Sequence, residues 1–473
     1  GTQTAYISAL DDRVAASAPA CYITSYRRLL ESIGVQDGEQ NLYNGLARGI
    51  DHADYLEVRA PKPTLVMANT RDFFSIQGSR ETFDEVKRAY TIFGKPDNIE
   101  IIEDDYGHGY TKKNREAMYA LFQKHLGMPG SSAEEEVIFS TEKELQKTTT
   151  GQLANSLGGE TIFDINRKEA EGLISRLQAK RDNSPSTSAE ILNSAKKLSG
   201  FNLPADVGNP VFTGRFQRQG YAIEKYYVKG EGNYVIPYLL VKPENPGSKA
   251  IIYIHPAGKS AEAHDGGEIE WFVKNGFTVL APDLIGTGET GPGSFKGDAV
   301  ILGVSNNMWF TSVITGKSIA GIRTADIIRL RMLLSATPGI EEIYGFARKE
   351  MTPILLYAAA FDEKISRIAL IEPFSSYRSI VMNRFYHPGF VHNLVAGALT
   401  EYDLPDLAAT LAPRKIILKG ITDGNGEIKD NESIKTDMKI IRNAYQLKNA
   451  GENLKIISDG MSENMQDVLN DWK

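Results

Sequence analysis

The sequence of 473 residues contains a single cysteine, Cys21. One thiol excludes an intrachain disulfide and a zinc centre built from several thiolates. No apolar run approaches the roughly 18 residues that a membrane-spanning helix needs. Basic residues are not in excess, since 53 lysines and arginines stand against 60 aspartates and glutamates. This balance argues against nucleic acid or an anionic membrane as the main partner.

The rest of the composition is that of a globular protein. Hydrophobic residues make up 41% of the chain and charged residues 24%, which is enough to bury a sizeable core. At this length the chain is expected to form two or three domains.

A strand, a tight turn and an apolar helix are predicted in succession over residues 341–360. This is the frame in which G-x-S-x-G motifs present a nucleophilic serine, here aligned from Gly345. In that alignment Ala347 stands at the serine position and Lys349 at the second glycine. An alanine methyl group cannot attack a carbonyl carbon, so this turn is expected to lack a nucleophile.

The first part of the chain alternates buried strands with helices. Each of two predicted strands is followed by a loop with a side chain suited to acid–base chemistry, Asp72 in the first and His108 in the second. A histidine base oriented by a carboxylate is the pair that serine hydrolases use. The predicted strands cover residues 14–23, 63–69 and 98–104, and the predicted helices residues 2–10, 79–93 and 112–126.

Two other carboxylates compete with Asp72 for this role. Asp104 and Asp105 lie closer to His108 in the sequence, and the pattern alone leaves them open. Asp72 is preferred for its place in the fold. His52 and His125 are expected to be structural.

Four segments resemble bacterial acetyl xylan esterase-like α/β-hydrolases: residues 51–56, 59–64, 68–74 and 107–109. The resemblance implies that Asp72 is the catalytic acid and His108 the base. In that family the nucleophile lies in a Gly-x-Ser-Gly-Gly turn before a helix that begins Gly-Thr-Gln, as this chain does at Gly1. The serine is therefore expected just ahead of residue 1.

A tandem organisation of two α/β-hydrolase domains is predicted. Tyr6 to Arg27 aligns without gaps on Tyr357 to Arg378, which indicates two copies of one fold. The predicted boundaries are 1–128 for the C-terminal half of a first domain, 129–202 for a linker with a helical stretch, and 203–473 for a complete second domain. The missing half of the first domain is an expected partner, because half a parallel sheet would expose an apolar edge.

The second copy is predicted to be catalytically silent. His255 and Gly258 resemble an oxyanion loop, and Asp423 keeps the position of the acid. The last predicted strand, 453–458, is followed by residues 459–463 without a histidine. Together with Ala347, this removes both the nucleophile and the base.

These observations predict a serine esterase that deacetylates xylan or a related plant polysaccharide, without cofactor or metal. Two alternatives stay open: another acyl hydrolase or peptidase on the same fold, and a glycan-binding pseudoenzyme. In the second alternative exposed aromatic residues would stack on sugars. The resemblance favours a periplasmic or secreted bacterial protein, and the cytoplasm stays open. The candidate stacking residues are Trp271, Trp309, Phe310, Tyr377 and Tyr386.

Overall fold

A computed structural model describes residues 1–35, 37–293, 298–428, 432–457 and 469–472. These residues form two compact units. The first comprises residues 1–157 with 298–299 and 306–316, and the second comprises 158–293, 300–305 and the chain from 317 onward. In the part of the chain that is described, no helix has the length and apolar character needed to cross a bilayer.

The first unit is mainly helical around a small parallel sheet. Strands β1 (Thr64–Asn69) and β2 (Ile99–Asp104) pair in parallel. All residues of β1 are buried, as expected for a strand covered on both faces. Its helices are α1 (Thr2–Leu10), α2 (Tyr26–Leu30), α3 (His52–Glu57), α4 (Ile76–Ile92), α5 (Lys112–His125), α6 (Glu142–Leu145), α7 (Leu153–Ser156) and, from later in the chain, α11 (Asn306–Ile314).

The strand predicted over residues 14–23 is replaced by two isolated bridges to β1, at Ser17 and Ala20. Pro19 has no N–H to donate, and Cys21 has a left-handed φ of 50°. These two features prevent a regular strand, although the segment still lies beside β1.

Helix α11 comes from the region that the sequence assigned to the second domain. Asn307 Nδ2 donates a hydrogen bond to the Ile33 carbonyl at 2.9 Å, and Asn44 N–H donates to the Val313 carbonyl at 2.8 Å. Ile314 is fully buried in the hydrophobic cluster of the first unit. The compact units therefore divide the chain differently from the predicted boundaries.

The second unit is built on a nine-stranded sheet in the order β13-β12-β11-β10-β6-β7-β5-β4-β3. Strands β13 to β7 of this order pair in parallel, and β5, β4 and β3 continue the sheet in antiparallel pairing. The large strands are β3 (Val211–Arg218), β4 (Tyr221–Lys229), β5 (Val235–Pro243), β6 (Lys249–Ile254), β7 (Thr278–Pro282), β10 (Glu342–Arg348), β11 (Ile365–Ile371), β12 (Lys415–Lys419) and β13 (Leu454–Ile457); β8 (Val300–Ile301) and β9 (Val304–Ser305) form a separate pair.

Helices flank this sheet, and the fold class predicted from the sequence, α/β with a mostly parallel sheet, is confirmed. The sequence pattern of residues 221–228 and 234–241 predicts a hairpin, and it is present as β4 and β5. The helices are α8 (Ile162–Asn183), α9 (Ser188–Ser199), α10 (Glu268–Lys274), α12 (Ile319–Ser335), α13 (Thr352–Phe361), α14 (Tyr377–Val381), α15 (Leu404–Ala409) and α16 (Glu432–Leu447).

Helices α8 and α9 fall within the segment predicted as a linker, yet they belong to the second unit. Both begin with capping boxes, at Thr161 and Thr187, which satisfy the first free N–H groups of each helix. Arg181 of α8 pairs with Asp406 at 2.6 Å, and Ala195 of α9 is fully buried in the core. These contacts pack α8 and α9 into the second unit.

Candidate active site

Asp72 and His108 lie in the loops that follow β1 and β2. Because parallel strands end at the same edge of a sheet, the two loops are neighbours. Asp72 comes three residues after the end of β1 and His108 four residues after the end of β2. The structure thus brings together the two side chains that the sequence singled out.

The two side chains form a direct hydrogen bond. His108 Nδ1 lies 3.0 Å from both carboxylate oxygens of Asp72. The Asp72 side chain is only 2% exposed, whereas that of His108 is 46% exposed. Phe74 N–H donates to Asp72 Oδ1 at 3.1 Å, and the Phe73 ring stacks on the imidazole with centroids 4.3 Å apart. The carboxylate is therefore fixed, and the imidazole is held against it with its other edge accessible.

The two competing carboxylates are engaged elsewhere. Asp105 accepts hydrogen bonds from Thr70 at 2.7 Å and from Arg71 at 3.0 Å. These contacts hold the pKa of Asp105 below its usual value. Asp104 accepts from the Asp105 N–H at 2.9 Å. Of the three candidates, Asp72 is the one that these contacts place on His108.

Asn69, the last residue of β1, holds the histidine loop on both sides of His108. Its Nδ2 donates to the carbonyls of Gly107 at 2.7 Å and Gly109 at 2.8 Å. Its Oδ1 accepts from Asn114 Nδ2 of α5 at 2.9 Å, and the residue is buried. Sequence reasoning gave Asn69 no role. The available signal was an amide side chain at the end of a buried strand, three residues before the proposed acid.

Cys21 lies beside this pair. Donor atoms of Cys21, Asp72 and His108 all lie within 4.8 Å of one another. The thiol donates to the Gly109 carbonyl at 3.2 Å, and burial raises the pKa of Cys21 to about 11, so it is a neutral thiol at pH 7. The sequence predicted no metal site, because residues 21, 72 and 108 have no recognisable ligand spacing.

A cleft of about 600 Å³ opens onto Cys21 and His108. Gly1, Gln3 and Thr4 at the start of α1 line it together with Cys21 and His108. The cleft has the volume of a small-molecule site.

His52 and His125 do not reach this pair. His52 Nδ1 accepts a hydrogen bond from Thr24 N–H at 3.1 Å, and its ring stacks on Tyr22. Burial lowers the pKa of His52 to about 4, so it packs as a neutral core residue. His125 is the last residue of α5.

In the second unit the turn between β10 and α13 does not have the alignment expected from the sequence. Ala347 lies inside β10, fully buried, and pairs with Ile254 of β6 and Leu370 of β11. The left-handed residue at the turn is Lys349, with a φ of 48°. The assignment of Ala347 to the turn is therefore wrong by two residues, because the strand extends further than predicted. The side chain at the turn is still not a serine.

Ion pairs surround this turn. Arg348 binds Glu268, with Nε 2.9 Å from the carboxylate, and lies 3.6 Å from Glu372. Lys349 Nζ lies 3.8 Å from the same Glu372. Glu268 and Glu372 thus hold the two cationic residues of the turn in place.

The predicted oxyanion loop is filled by its own side chains. His255 Nδ1 accepts from the Ala257 N–H at 3.1 Å, and burial lowers the pKa of His255. Gly258 has a φ of 87° and lies against Asp283, where a Cβ would fall 2.4 Å from Oδ1. The Asp283 side chain is buried and bonds the Lys259 ammonium group at 2.5 Å.

The Asp423 carboxylate forms hydrogen bonds within its own loop. Its Oδ1 accepts hydrogen bonds from the N–H groups of Asn425 at 3.0 Å and Glu427 at 3.2 Å. The loop after β13, where the sequence shows no histidine, lies outside the described residues.

The aromatic residues proposed to stack on sugars have mixed environments. Tyr377 is buried, and its hydroxyl donates to the Asn393 carbonyl at 2.9 Å. Phe310 packs on the core of the first unit. Tyr386 is 40% exposed.

The chain is similar to carbohydrate esterases of known structure. A candidate acetyl xylan esterase from Bacteroides fragilis aligns at 20% identity over 59% of this chain and 76% of its own, with a TM-score of 0.46. An acetyl xylan esterase from Paenibacillus sp. R4 aligns at 13% identity over 61% and 94%, with a TM-score of 0.42.

A glucuronoyl esterase from Solibacter usitatus aligns at 12% identity over 61% of this chain and 91% of its own, with a TM-score of 0.41. No protein-family model matches the chain, and no curated protein matches it significantly.

Proposed function

We propose that the first unit carries the acid–base pair of a serine esterase that removes acetyl groups from a plant polysaccharide. His108 is the general base and Asp72 the residue that orients it. The observation that carries the proposal is the contact of His108 Nδ1 with both oxygens of a buried Asp72. This arrangement fixes the proton on Nδ1 and leaves Nε2 to take a proton from a nucleophile.

The nucleophile in this proposal is a serine ahead of Gly1. Helix α1 begins directly after Gly1, and the start of this helix lines the same cleft as His108. The corresponding helix of the second unit, α13, is preceded by the left-handed turn at Lys349. A turn of that kind before α1 would present a serine to the cleft.

The proposed reaction proceeds through an acyl-enzyme. His108 accepts the serine proton as the serine oxygen attacks the acetyl carbonyl carbon, and His108 then gives that proton to the departing sugar oxygen. Water, deprotonated by His108, attacks the acyl-enzyme, which releases acetate and restores the serine. Asp72 stabilises the imidazolium form during both steps and keeps its own negative charge.

An acetylated plant polysaccharide is proposed as the substrate because four segments resemble acetyl xylan esterase-like proteins. These segments lie around Asp51, Arg59, Asn69 and Gly107. The second unit has no catalytic role in this proposal. Lys349 stands at its turn, and Arg348, Glu268 and Glu372 are paired around it. A glycan-binding protein without activity is the competing function.

Acetate release from acetylated xylo-oligosaccharides tests the proposal, with the complete natural protein and matched variants. We expect His108→Gln to abolish release and His125→Gln to retain it, because His125 lies at the end of α5, away from Asp72. Retained activity in His108→Gln would refute the assignment of the base. Binding of the oligosaccharide without acetate release by the natural protein would favour the competing function.

A further inference from the structure

We propose that Cys21, Asp72 and His108 form a binding site for a thiophilic divalent cation such as Zn²⁺. The three side chains supply one thiolate, one carboxylate oxygen and one imidazole nitrogen. Their donor atoms all lie within 4.8 Å of one another. An accessible zinc site has three protein ligands, and its fourth coordination position is open to water.

The distances suit a small cation. With Zn–S near 2.3 Å and Zn–N or Zn–O near 2.0 to 2.2 Å, tetrahedral donors lie roughly 3.3 to 3.7 Å apart. His108 Nδ1 and Asp72 are already 3.0 Å apart. Small side-chain rotations therefore suffice to close the set around an ion.

The local charge also favours a cation. The Asp72 side chain is 2% exposed, and in the described parts of the chain no lysine or arginine pairs with it. Arg71, its sequence neighbour, is bound to Asp105 instead. Asp72 has His108, the Cys21 thiol and the Phe74 N–H as neighbours. A buried carboxylate among such groups gains from a divalent ion.

The choice among metals follows from the sulfur. A thiolate with an imidazole selects Zn²⁺ or Cd²⁺ over Mg²⁺ and Ca²⁺, which prefer oxygen ligands. Binding exchanges the Cys21 thiol proton for the metal, so one proton passes to solvent for each ion bound. No electron is transferred.

An ion can reach two of the three donors, Cys21 and His108, from solvent. Cys21 and His108 line the cleft of about 600 Å³, and both also line a smaller pocket of about 170 Å³ with Phe73 and Phe74. Water in the cleft would complete the coordination.

The consequence for catalysis rests on the proposed function, whereas metal binding itself does not. An ion bound by His108 and Asp72 would replace the contact through which Asp72 orients His108 and stabilises its protonated form. The esterase would then be reversibly inhibited by Zn²⁺ and restored by a chelator.

Binding is tested directly on the full chain, without substrate. Calorimetry with ZnCl₂ is expected to show one site, and Co²⁺ is expected to give a thiolate-to-metal charge-transfer band. Cys21→Ser should abolish the band and weaken Zn²⁺ binding at least tenfold. Asp72→Asn and His108→Gln should each weaken binding as well, while the controls Asp105→Asn and His125→Gln should not.

Alkylation of the 473-residue chain gives a readout without substitution, because Cys21 is its only cysteine. Zn²⁺ is expected to slow its reaction with iodoacetamide. Equal Zn²⁺ affinity in Cys21→Ser, or unchanged alkylation with Zn²⁺ present, would overturn the proposal.

Inhibition is measured by titrating acetate release with Zn²⁺, each variant relative to its own metal-free rate. Metal binding in a protein that never releases acetate would refute the proposed function and leave this site standing. Acetate release that Zn²⁺ inhibits equally in natural protein and Cys21→Ser would refute the site and leave the function standing.

Discussion

Asn69 Nδ2 lies 2.7 Å from the Gly107 carbonyl oxygen, immediately before His108. The same amide group reaches the Gly109 carbonyl at 2.8 Å on the other side of the histidine. A buried side chain at the end of β1 therefore sets the path of the loop after β2, and with it the position of the imidazole.

Asn69→Ala is expected to displace the His108 loop and lower the free energy of unfolding of the first unit. Removing the amide leaves two carbonyls and Asn114 Nδ2 without this partner, at a cost of about 1 to 3 kcal/mol. Urea denaturation measures the loss of stability, and the NMR signals of the His108 ring report its change of position.

Asn98→Ala is the matched control. Asn98 also donates to a backbone carbonyl, that of Pro61 at 2.7 Å, but this hydrogen bond is exposed to solvent. We expect a much smaller loss of stability and an unchanged His108 spectrum. Equal effects of the two substitutions would contradict the role given to Asn69.

Asp72→Asn tests the orientation of the imidazole in the complete natural protein. An asparagine can keep the contact with His108 Nδ1 but favours the wrong tautomer, and it cannot stabilise the imidazolium form. A fall in kcat of about 10⁴-fold is expected for acetate release. Asp105→Asn should leave kcat close to that of the natural protein, because Asp105 contacts Thr70 and Arg71 rather than His108. A larger effect of Asp105→Asn would make Asp105 the acid.

Lys349→Gly tests the left-handed turn of the second unit. A non-glycine residue at a φ of 48° carries a conformational cost of about 1 kcal/mol, which glycine avoids. We expect thermal stability to be retained or to rise, whereas Glu350→Gly, one residue later, should lower it. If Lys349→Gly is the more destabilising of the two, the contact of Lys349 with Glu372 outweighs the strain.

The Arg348–Glu268 pair is expected to stabilise the second unit. Both side chains are about four-fifths buried, and the carboxylate receives two guanidinium N–H groups. A double-mutant cycle with Arg348→Met and Glu268→Gln should give a coupling energy of about 1 to 3 kcal/mol. The same cycle on the exposed pair Lys435–Glu432 should give a smaller value. Equal coupling energies would show that burial adds nothing.

Asp326 of α12 should make the second unit less stable as the pH rises. It is fully buried between the Tyr234 hydroxyl and Arg329, and burial raises the pKa of Asp326 to about 7. An unfolded aspartate has a pKa of about 3.9. The native state therefore keeps a proton that the unfolded chain loses between about pH 4 and pH 7, and the corresponding stability is lost over that range.

Urea denaturation between pH 4.5 and 7.5 checks this expectation. One such proton changes the free energy of unfolding by up to about 1.4 kcal/mol per pH unit. Asp326→Asn should flatten the decline, and Asp182→Asn, at an exposed position of α8, should not. An unchanged pH dependence in Asp326→Asn would show that Asp326 is ionised in the native state.

The sequence predicts those elements and loop residues that are marked by a local pattern of apolar and polar residues. The apolar run of β1, the helix α4 and the hairpin of β4 and β5 were all predicted close to their observed bounds. In the sequence, Asp72 follows one predicted strand and His108 follows the next, with a helix between them. This order predicts that the two side chains lie at the same edge of a sheet.

The remainder depended on contacts between distant residues. The turn was misplaced at Ala347 because nothing local shows that β10 continues to Arg348. Helix α11 packs on the first unit through Asn307 and Ile314, a pairing across more than half of the chain. Cys21 lies beside Asp72 and His108 only in the folded chain. The separation of these residues in the sequence therefore did not indicate that they are close together.

The central claim, that Asp72 and His108 serve a serine nucleophile, is tested most directly with a fluorophosphonate probe. The protein from its natural source is treated with the probe, and peptide mass spectrometry locates the label. The account predicts a label on a serine just ahead of Gly1, and slow or absent labelling in His108→Gln. Absence of label from the natural protein, or a label on a serine that reacts equally in His108→Gln, would contradict it.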